Sequence, residues 1–171
     1  MNDQTMADLL ERVRHRFYGK YRGTVTDNDD PNRRGRIRAN VPAVLGEQVS
    51  GWCAPCVPYA GAGVGIAFLP EIGSGVWIEF EGGDVSYPIW SGCYWRDDEL
   101  PEDVAPTVKV IRTVAGHQIL LDDDGSKITV TDPNGNTVTL ESSGITLERG
   151  ANRVRVGDAS VSVNDGALEV V

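Results

Sequence analysis

The chain has no apolar run approaching the roughly 20 residues that cross a bilayer, so no membrane-spanning helix is expected. It has only three cysteines, Cys53, Cys56 and Cys93, and an odd number does not imply a complete set of intrachain disulfides. Its two histidines, His15 and His117, lie in different segments. No G-x-S-x-G or H-E-x-x-H occurs, and no nucleophile has an evident base beside it. No catalytic, cofactor-binding or metal-binding residue is therefore assigned, and a non-enzymatic protein is expected. The N-terminus, MNDQTMADLLERVRH, carries acids where a secretory signal has its basic region, which points to assembly in the cytoplasm.

Positive charge is also scarce: 16 Lys and Arg stand against 25 Asp and Glu, for a net charge of −9. The shortage is uneven. Residues 1–52 carry nine basic groups against seven acidic ones, whereas residues 53–171 carry seven against eighteen. Nucleic-acid affinity comes mainly from neutralising phosphates, so the acidic C-terminal two-thirds speaks against a nucleic-acid partner.

What the chain has in quantity is a short repeat over residues 107–171. Two apolar residues separated by one recur as Ile119 and Leu121, Ile128 and Val130, Val138 and Leu140, Ile145 and Leu147, Val154 and Val156, Val161 and Val163, Leu168 and Val170. Side chains at i and i+2 share one face of a strand and different faces of a helix. The repeat therefore predicts seven very short strands with turns between them. Each strand offers only two or three apolar side chains, and an isolated narrow ribbon is marginal in water. Further copies of the chain are expected to complete the core, with the pairs from Ile119 to Val163 pointing inward.

Ahead of the repeat, residues 3–18 place Met6, Leu9, Leu10, Val13 and Phe17 at steps of three and four, which predicts an amphipathic helix within a segment 1–19. Its arginines Arg12, Arg14 and Arg16 form either a docking surface or the solvated face of that helix. From Tyr21 the period changes to two, and YRGTVTDN reads as a first strand ending in the polar turn DNDDPNRRG. In GRIRANVP, Ile37, Ala39 and Val41 alternate with Arg36, Arg38 and Asn40, a half-buried strand. LGEQVSG reads as a loop. GWCAPCVP reads as a strand interrupted by Pro55, hence an edge or a bulge. YAGAGVG is a glycine-rich connection. GVWIEFEGGD is a strand with Val76, Ile78 and Phe80 on one face and a turn at Gly82 and Gly83, and SYPIWSGCYW is a fifth strand. Five strands with a long irregular connection between the third and fourth suit a closed barrel of the OB type over 20–95. The stretch RDDELPEDVAPT, acid-rich with two prolines, reads as an extended linker over 96–107, ahead of a C-terminal domain over 108–171.

Three motifs dissolve on inspection. Cys53 and Cys56 have CxxC spacing, but the context is β-rich rather than a helix N-terminus and no second CxxC completes a zinc site; buried structural thiols are expected. Gly61 to Gly65 resembles a phosphate loop, yet no helix is predicted after it. Asp122-Asp123-Asp124-Gly125 resembles part of a calcium loop, but Leu120 and Thr131 would occupy its first and last ligand positions, so a tight turn is expected. The same holds for Pro133 to Asn136.

The stretch from Gly23 to Trp95 resembles a known family. Gly23 to Val25, a polar loop with Asp30-Pro31, Gly35-Arg36-Ile37, Trp52, a glycine-rich segment, Leu69-Pro70-Glu71-Ile72-Gly73, Val76 to Phe80, Gly83-Asp84, Pro88 and Gly92 follow in the order found in the OB domain of contractile-tail spikes. These are the phage baseplate assembly protein V family and the related VgrG spikes of type VI secretion. Ala115 to Asp123 is similar to the entry to their β-helix. The resemblance implies an all-β fold: an OB barrel followed by an intertwined triple-stranded β-helix, in a homotrimer that closes into a prism. It implies a structural central spike of a phage tail or tail-like contractile particle that punctures the target envelope, with transient membrane contact. It also implies a separate baseplate hub or tube-initiator protein, for which Arg12, Arg14 and Arg16 are the candidate contact. No H-x-H apex motif is present, so a separate PAAR-like tip protein is expected on Leu168, Val170 and Val171. The alternative is an OB-fold module that binds an oligosaccharide or single-stranded nucleic acid, which requires a basic groove and stacking aromatics such as Trp77, Trp90 and Trp95.

Overall fold

The computed structural model describes Val13 and residues 15–170, without the side chain of Glu169. The greater part of the expected N-terminal helix, together with Arg12, Arg14 and Val171, lies outside the described residues. The chain separates into two compact units, the second being Leu100–Val171.

In the first unit, β1 (Tyr21–Asp27), β2 (Arg38–Asn40), β3 (Ala54–Pro55), β6 (Gly75–Phe80) and β7 (Pro88–Tyr94) form one sheet in the order β2-β1-β6-β7-β3. All pairings are antiparallel except β3 with β7. The two ends of the sheet meet. Ile37, just ahead of β2, pairs with Cys53, just ahead of β3, and each backbone N–H donates to the other's carbonyl at 2.8 and 3.3 Å. The sheet is thus a closed five-stranded barrel, which leaves no free edge. At Pro55, where an edge or a bulge was expected, β3 is cut to two residues.

The alternation seen in the sequence packs the barrel interior. Val25, Ile37, Ala39, Val41, Cys53, Val76, Ile78, Phe80 and Trp90 are buried, and Phe17 packs against them from outside the sheet. Each large aliphatic buried here contributes roughly 1.5–3 kcal/mol. The Trp90 indole N–H donates to the Gly35 carbonyl at 3.1 Å, which satisfies the ring's polar atom inside the core. The turn at Gly82 and Gly83 forms as read, with both residues in the left-handed region that glycine enters without penalty.

Two segments differ from the sequence reading. Between the predicted strand GRIRANVP and the predicted loop LGEQVSG the chain forms a single helical turn, α1 (Pro42–Leu45), which takes the last residue of the one and the first of the other. Pro42 is preset for the first helical position, where a missing N–H costs nothing, and Gly46 ends the turn with its N–H on the Pro42 carbonyl. The glycine-rich connection is a miniature hairpin of β4 (Ala60–Gly61) and β5 (Val64–Gly65).

The second unit is one antiparallel meander: β8 (Val108–Arg112), β9 (Gln118–Asp122), β10 (Lys127–Thr131), β11 (Asn136–Glu141), β12 (Gly144–Arg149), β13 (Asn152–Val156), β14 (Val161–Val163) and β15 (Leu168–Val170), paired in sequence order. Eight strands form where seven were expected. On the face that carries the aliphatic pairs β8 presents Lys109 and Ile111, only one of them apolar. Each strand here bonds to its own sequence neighbour, so one chain carries a complete sheet. The physical reason lies in the connections: Ser142-Ser143 and Gly150-Ala151 are two-residue turns, which return the chain to the adjacent strand and reach no further.

Candidate functional site

Strand register sets the surface of the second unit. Ile111 lies opposite Ile119, which pairs with Val130, then Val138, Leu147, Val154, Val163 and Leu168. In the same way Leu121 pairs with Ile128, then Leu140, Ile145, Val156, Val161 and Val170. The i, i+2 pairs of the sequence thereby become two straight aliphatic columns, side by side on one face of the sheet. Every residue expected to point inward stands in one of them. Sequence reasoning missed two members of the face: Ile111 extends the first column, and Lys109, opposite Leu121, heads the second.

This apolar face is the more exposed face of the lone chain. Leu147 is 47% exposed and Val154 36%. By contrast Lys127, Thr129 and Thr131, on the opposite face of β10, are half-buried. Val138 and Val163 are half-buried as well. Two columns built of Ile, Leu and Val except for Lys109 at one end, left in this state, exceed what a monomer ordinarily carries.

Beside the first column runs a polar one. Asn136, Arg149 and Asn152 pair successively at the strand ends. With His117 and Asp132 they wall a groove of about 730 Å³ whose floor includes Ile119, Val130, Val138, Leu147 and Val154. Asp132 stiffens this wall. Its carboxylate accepts the backbone N–H groups of Asn134 and Asn136 at 2.9 and 2.8 Å and both side-chain amides at 3.1 and 2.6 Å. Those donors, the side-chain amides first, hold its pKa well below the usual carboxylate range. The opposite strand ends carry different turns. At the predicted tight turn the Asp122 carboxylate accepts the Gly125 N–H at 2.8 Å, and Ser143 Oγ donates to Glu141 at 2.7 Å.

Elsewhere in this unit the charges pair locally. Lys109 bonds Asp123, Arg112 lies 3.3 Å from Asp103, and Arg153 lies 3.4 Å from both Glu148 and Asp165. At the far edge of the sheet Leu168 and Val170 of the expected tip surface are 60% and 62% exposed.

The first unit places the remaining candidates. Arg16, named with Arg12 and Arg14 as a hub contact, ion-pairs with Asp84 at 3.0 Å and donates to the Gly82 carbonyl at 3.3 Å. The expectation of buried structural thiols holds for Cys53, whose Sγ sits 3.3 Å from Ser50 Oγ and whose pKa burial pushes up. It fails for Cys56, which is exposed because Pro55 and the two-residue β3 turn it out of the barrel. The loop Asn28–Gly35 is organised on buried Asp30. Its carboxylate binds the Arg36 guanidinium at 2.6 and 3.0 Å and accepts the N–H groups of Asn32 and Arg34 at 3.0 and 2.8 Å. Arg36, the first of these causes, and the backbone donors hold Asp30 well below the usual carboxylate range. A patch that sequence reasoning did not flag, including Tyr59, Val64, Ile66, Phe68 and Ile72, is exposed around the small hairpin. Its only sequence sign is the apolar run IAFL.

Two family models match the chain. Residues 21–95 match the type VI secretion system/phage-baseplate injector OB domain. Residues 108–169 match the phage baseplate V C-terminal trimerisation domain. Among curated proteins there is no significant match.

Proposed function

The chain belongs to the phage baseplate V family, and on that premise we propose that it is the central spike of a contractile injection particle, a homotrimer whose work is mechanical. Its two matched domains are an injector OB domain and a trimerisation domain, which supports a structural role without catalysis. The observation that carries the proposal is the pair of aligned aliphatic columns, exposed in one chain and lying within the region matched by a trimerisation domain.

Magnitudes favour closure of three copies around these columns. Removing the remaining exposed area of one column side chain from water contributes roughly 1–2 kcal/mol at about 25 cal/mol per Å². Ten such residues, Ile119, Leu121, Ile128, Val130, Leu140, Ile145, Leu147, Val154, Val156 and Val161, stand at 36–47% exposure. They supply on the order of 10–20 kcal/mol per chain, an upper bound, against an association cost of about 4–15 kcal/mol. Eight strands stacked at about 4.8 Å give a prism roughly 35 Å long. Its regular backbone bonding and short turns make it stiff, which suits the delivery of sheath-driven force to a small area of envelope. A separate hub or tube-initiator protein takes the other end of the assembly, with Arg12, Arg14 and Arg16 as its candidate contact. A PAAR-like tip sits on the β15 edge at Leu168 and Val170, with Val171, outside the described residues, as the third candidate contact. The particle is a phage tail or a device derived from one.

The alternative, a ligand-binding OB module, draws on Trp77 and Tyr94, whose rings lie 5.0 Å apart on the barrel surface. Those rings are already occupied: the Arg22 guanidinium lies 5.7 Å from Trp77 and 5.2 Å from Tyr94. Trp90 is buried in the core. A stacking platform needs open aromatic faces. Native mass measurement at micromolar concentration tests the spike reading. A species of three chains is expected, and a monomer of 18.5 kDa would sink it.

A further inference from the structure

The groove and its polar wall say more than that copies assemble. Resting on the trimer just proposed, we propose which two surfaces meet: the groove of one copy receives the opposite edge of the next, and Arg149 of one chain faces Glu141 of its neighbour.

The argument starts from symmetry. A three-fold ring is built from heterologous contacts, in which one patch of a chain meets a different patch of the next. The sheet offers two different edges. One carries the polar column of Asn136, Arg149 and Asn152 beside the 730 Å³ groove. The other carries the turn at Asp122 to Gly125 and the Ser142-Ser143 turn between β11 and β12. Rotation about a three-fold axis involves no shift along that axis, so each element lies at the same height in all copies. With strands running across the axis, the β12 end bearing Arg149 meets the turn between β11 and β12 of the next copy, at most about one strand spacing away.

Charge then selects the pair. Arg149 is exposed and, among the described residues, has no ion-pair partner, unlike Arg112 and Arg153. Glu141 ends β11 at the opposite edge, where Ser143 is its one hydrogen-bond donor among the described residues. The two cannot meet within a chain. They stand at opposite ends of paired strands, roughly 17 Å apart at about 3.4 Å per residue. In a prism each of the three corners brings one Arg149 to one Glu141.

The test is cross-linking in a Cys56→Ser/Cys93→Ser background, which removes the exposed native thiols. Glu141→Cys with Arg149→Cys is expected to give, on mild oxidation, a band of three chains on a non-reducing denaturing gel. Either single variant is expected to stay at one chain. A disulfide needs Cα atoms within about 7 Å, so an intrachain link cannot mimic the result. A parent trimer by native mass whose double variant remains uncross-linked would overturn the corner assignment and leave the trimer standing. Covalent dimers from either single variant would overturn it too, since they require like edges to meet. A monomeric parent would instead overturn the trimer itself. Charge exchange supplies a second reading without cysteines. Arg149→Glu is expected to lower the denaturant midpoint of the trimer, and Arg149→Glu with Glu141→Arg to bring it back toward wild type. A double variant no better than the single one would refute the pairing.

Discussion

Val161→Asp puts the column assignment to its severest trial. Val161 pairs with Val156 and Val170 within the second column and is 38% exposed in one chain. A carboxylate there meets water in a lone chain and three of them meet an apolar axis in the trimer. Losing the apolar contact costs roughly 1 kcal/mol per chain, and desolvating each charge costs several kcal/mol more. Summed over three chains the loss is on the order of 10 kcal/mol, and every 1.4 kcal/mol is tenfold in an equilibrium constant. The trimerisation constant should fall by about seven powers of ten, enough to leave monomers at micromolar concentration. Ser162→Asp is the control. It lies one residue on, on the opposite face, opposite Arg155, and should leave the trimer intact. An apolar axis raises the pKa of the introduced carboxyl above its unfolded value. Trimer is therefore recovered below about pH 4, the ordinary Asp value, and lost as pH rises through the raised one. Sedimentation of both variants across pH, each against wild type, reads all of this. An intact Val161→Asp trimer at pH 7, or equal damage from Ser162→Asp, would refute the two-column face.

Two further outcomes follow from local geometry. Gly144, at the head of β12, has φ +131, and a Cβ there would lie 2.2 Å from the Val156 carbonyl oxygen. Gly144→Ala should destabilise the second unit by more than about 1 kcal/mol, read as a lowered thermal midpoint, and an unchanged midpoint would show that β13 yields freely. Asp30→Asn removes the charge that holds Arg36 and the loop amides. Because the Asp30 pKa is depressed in the folded state, its contribution is present above the unfolded value near 4 and lost only as pH falls well below it. The wild-type advantage in denaturant, followed by tryptophan fluorescence through Trp52 beneath the Arg36 guanidinium, should therefore persist at pH 4. An advantage already gone at that pH would count against the ion pair.

Much of this protein is written in periodicity. The spacing of Ile119 and Leu121, and of each later pair, could only place both side chains on one strand face, whatever the turns did. Alternation about Ile37, Ala39 and Val41, and about Val76, Ile78 and Phe80, likewise named the barrel interior, because burial follows a two-residue rhythm that is local. What spacing cannot carry is partnership between distant residues. The closure of the barrel by Ile37 and Cys53, the grip of Asp30 on Arg36, the engagement of Arg16 by Asp84 and the turning-out of Cys56 all depend on where chain segments meet. Nor could spacing say that consecutive strands pair with one another in a single chain. That register alone aligns the pairs into two unbroken columns and sets Arg149 and Glu141 at opposite edges of one sheet. The repeat by itself determined an apolar face too thin to stand alone. Only the tertiary structure decided the face's shape, because hydrogen-bond register is a relation between strands and no strand holds it by itself.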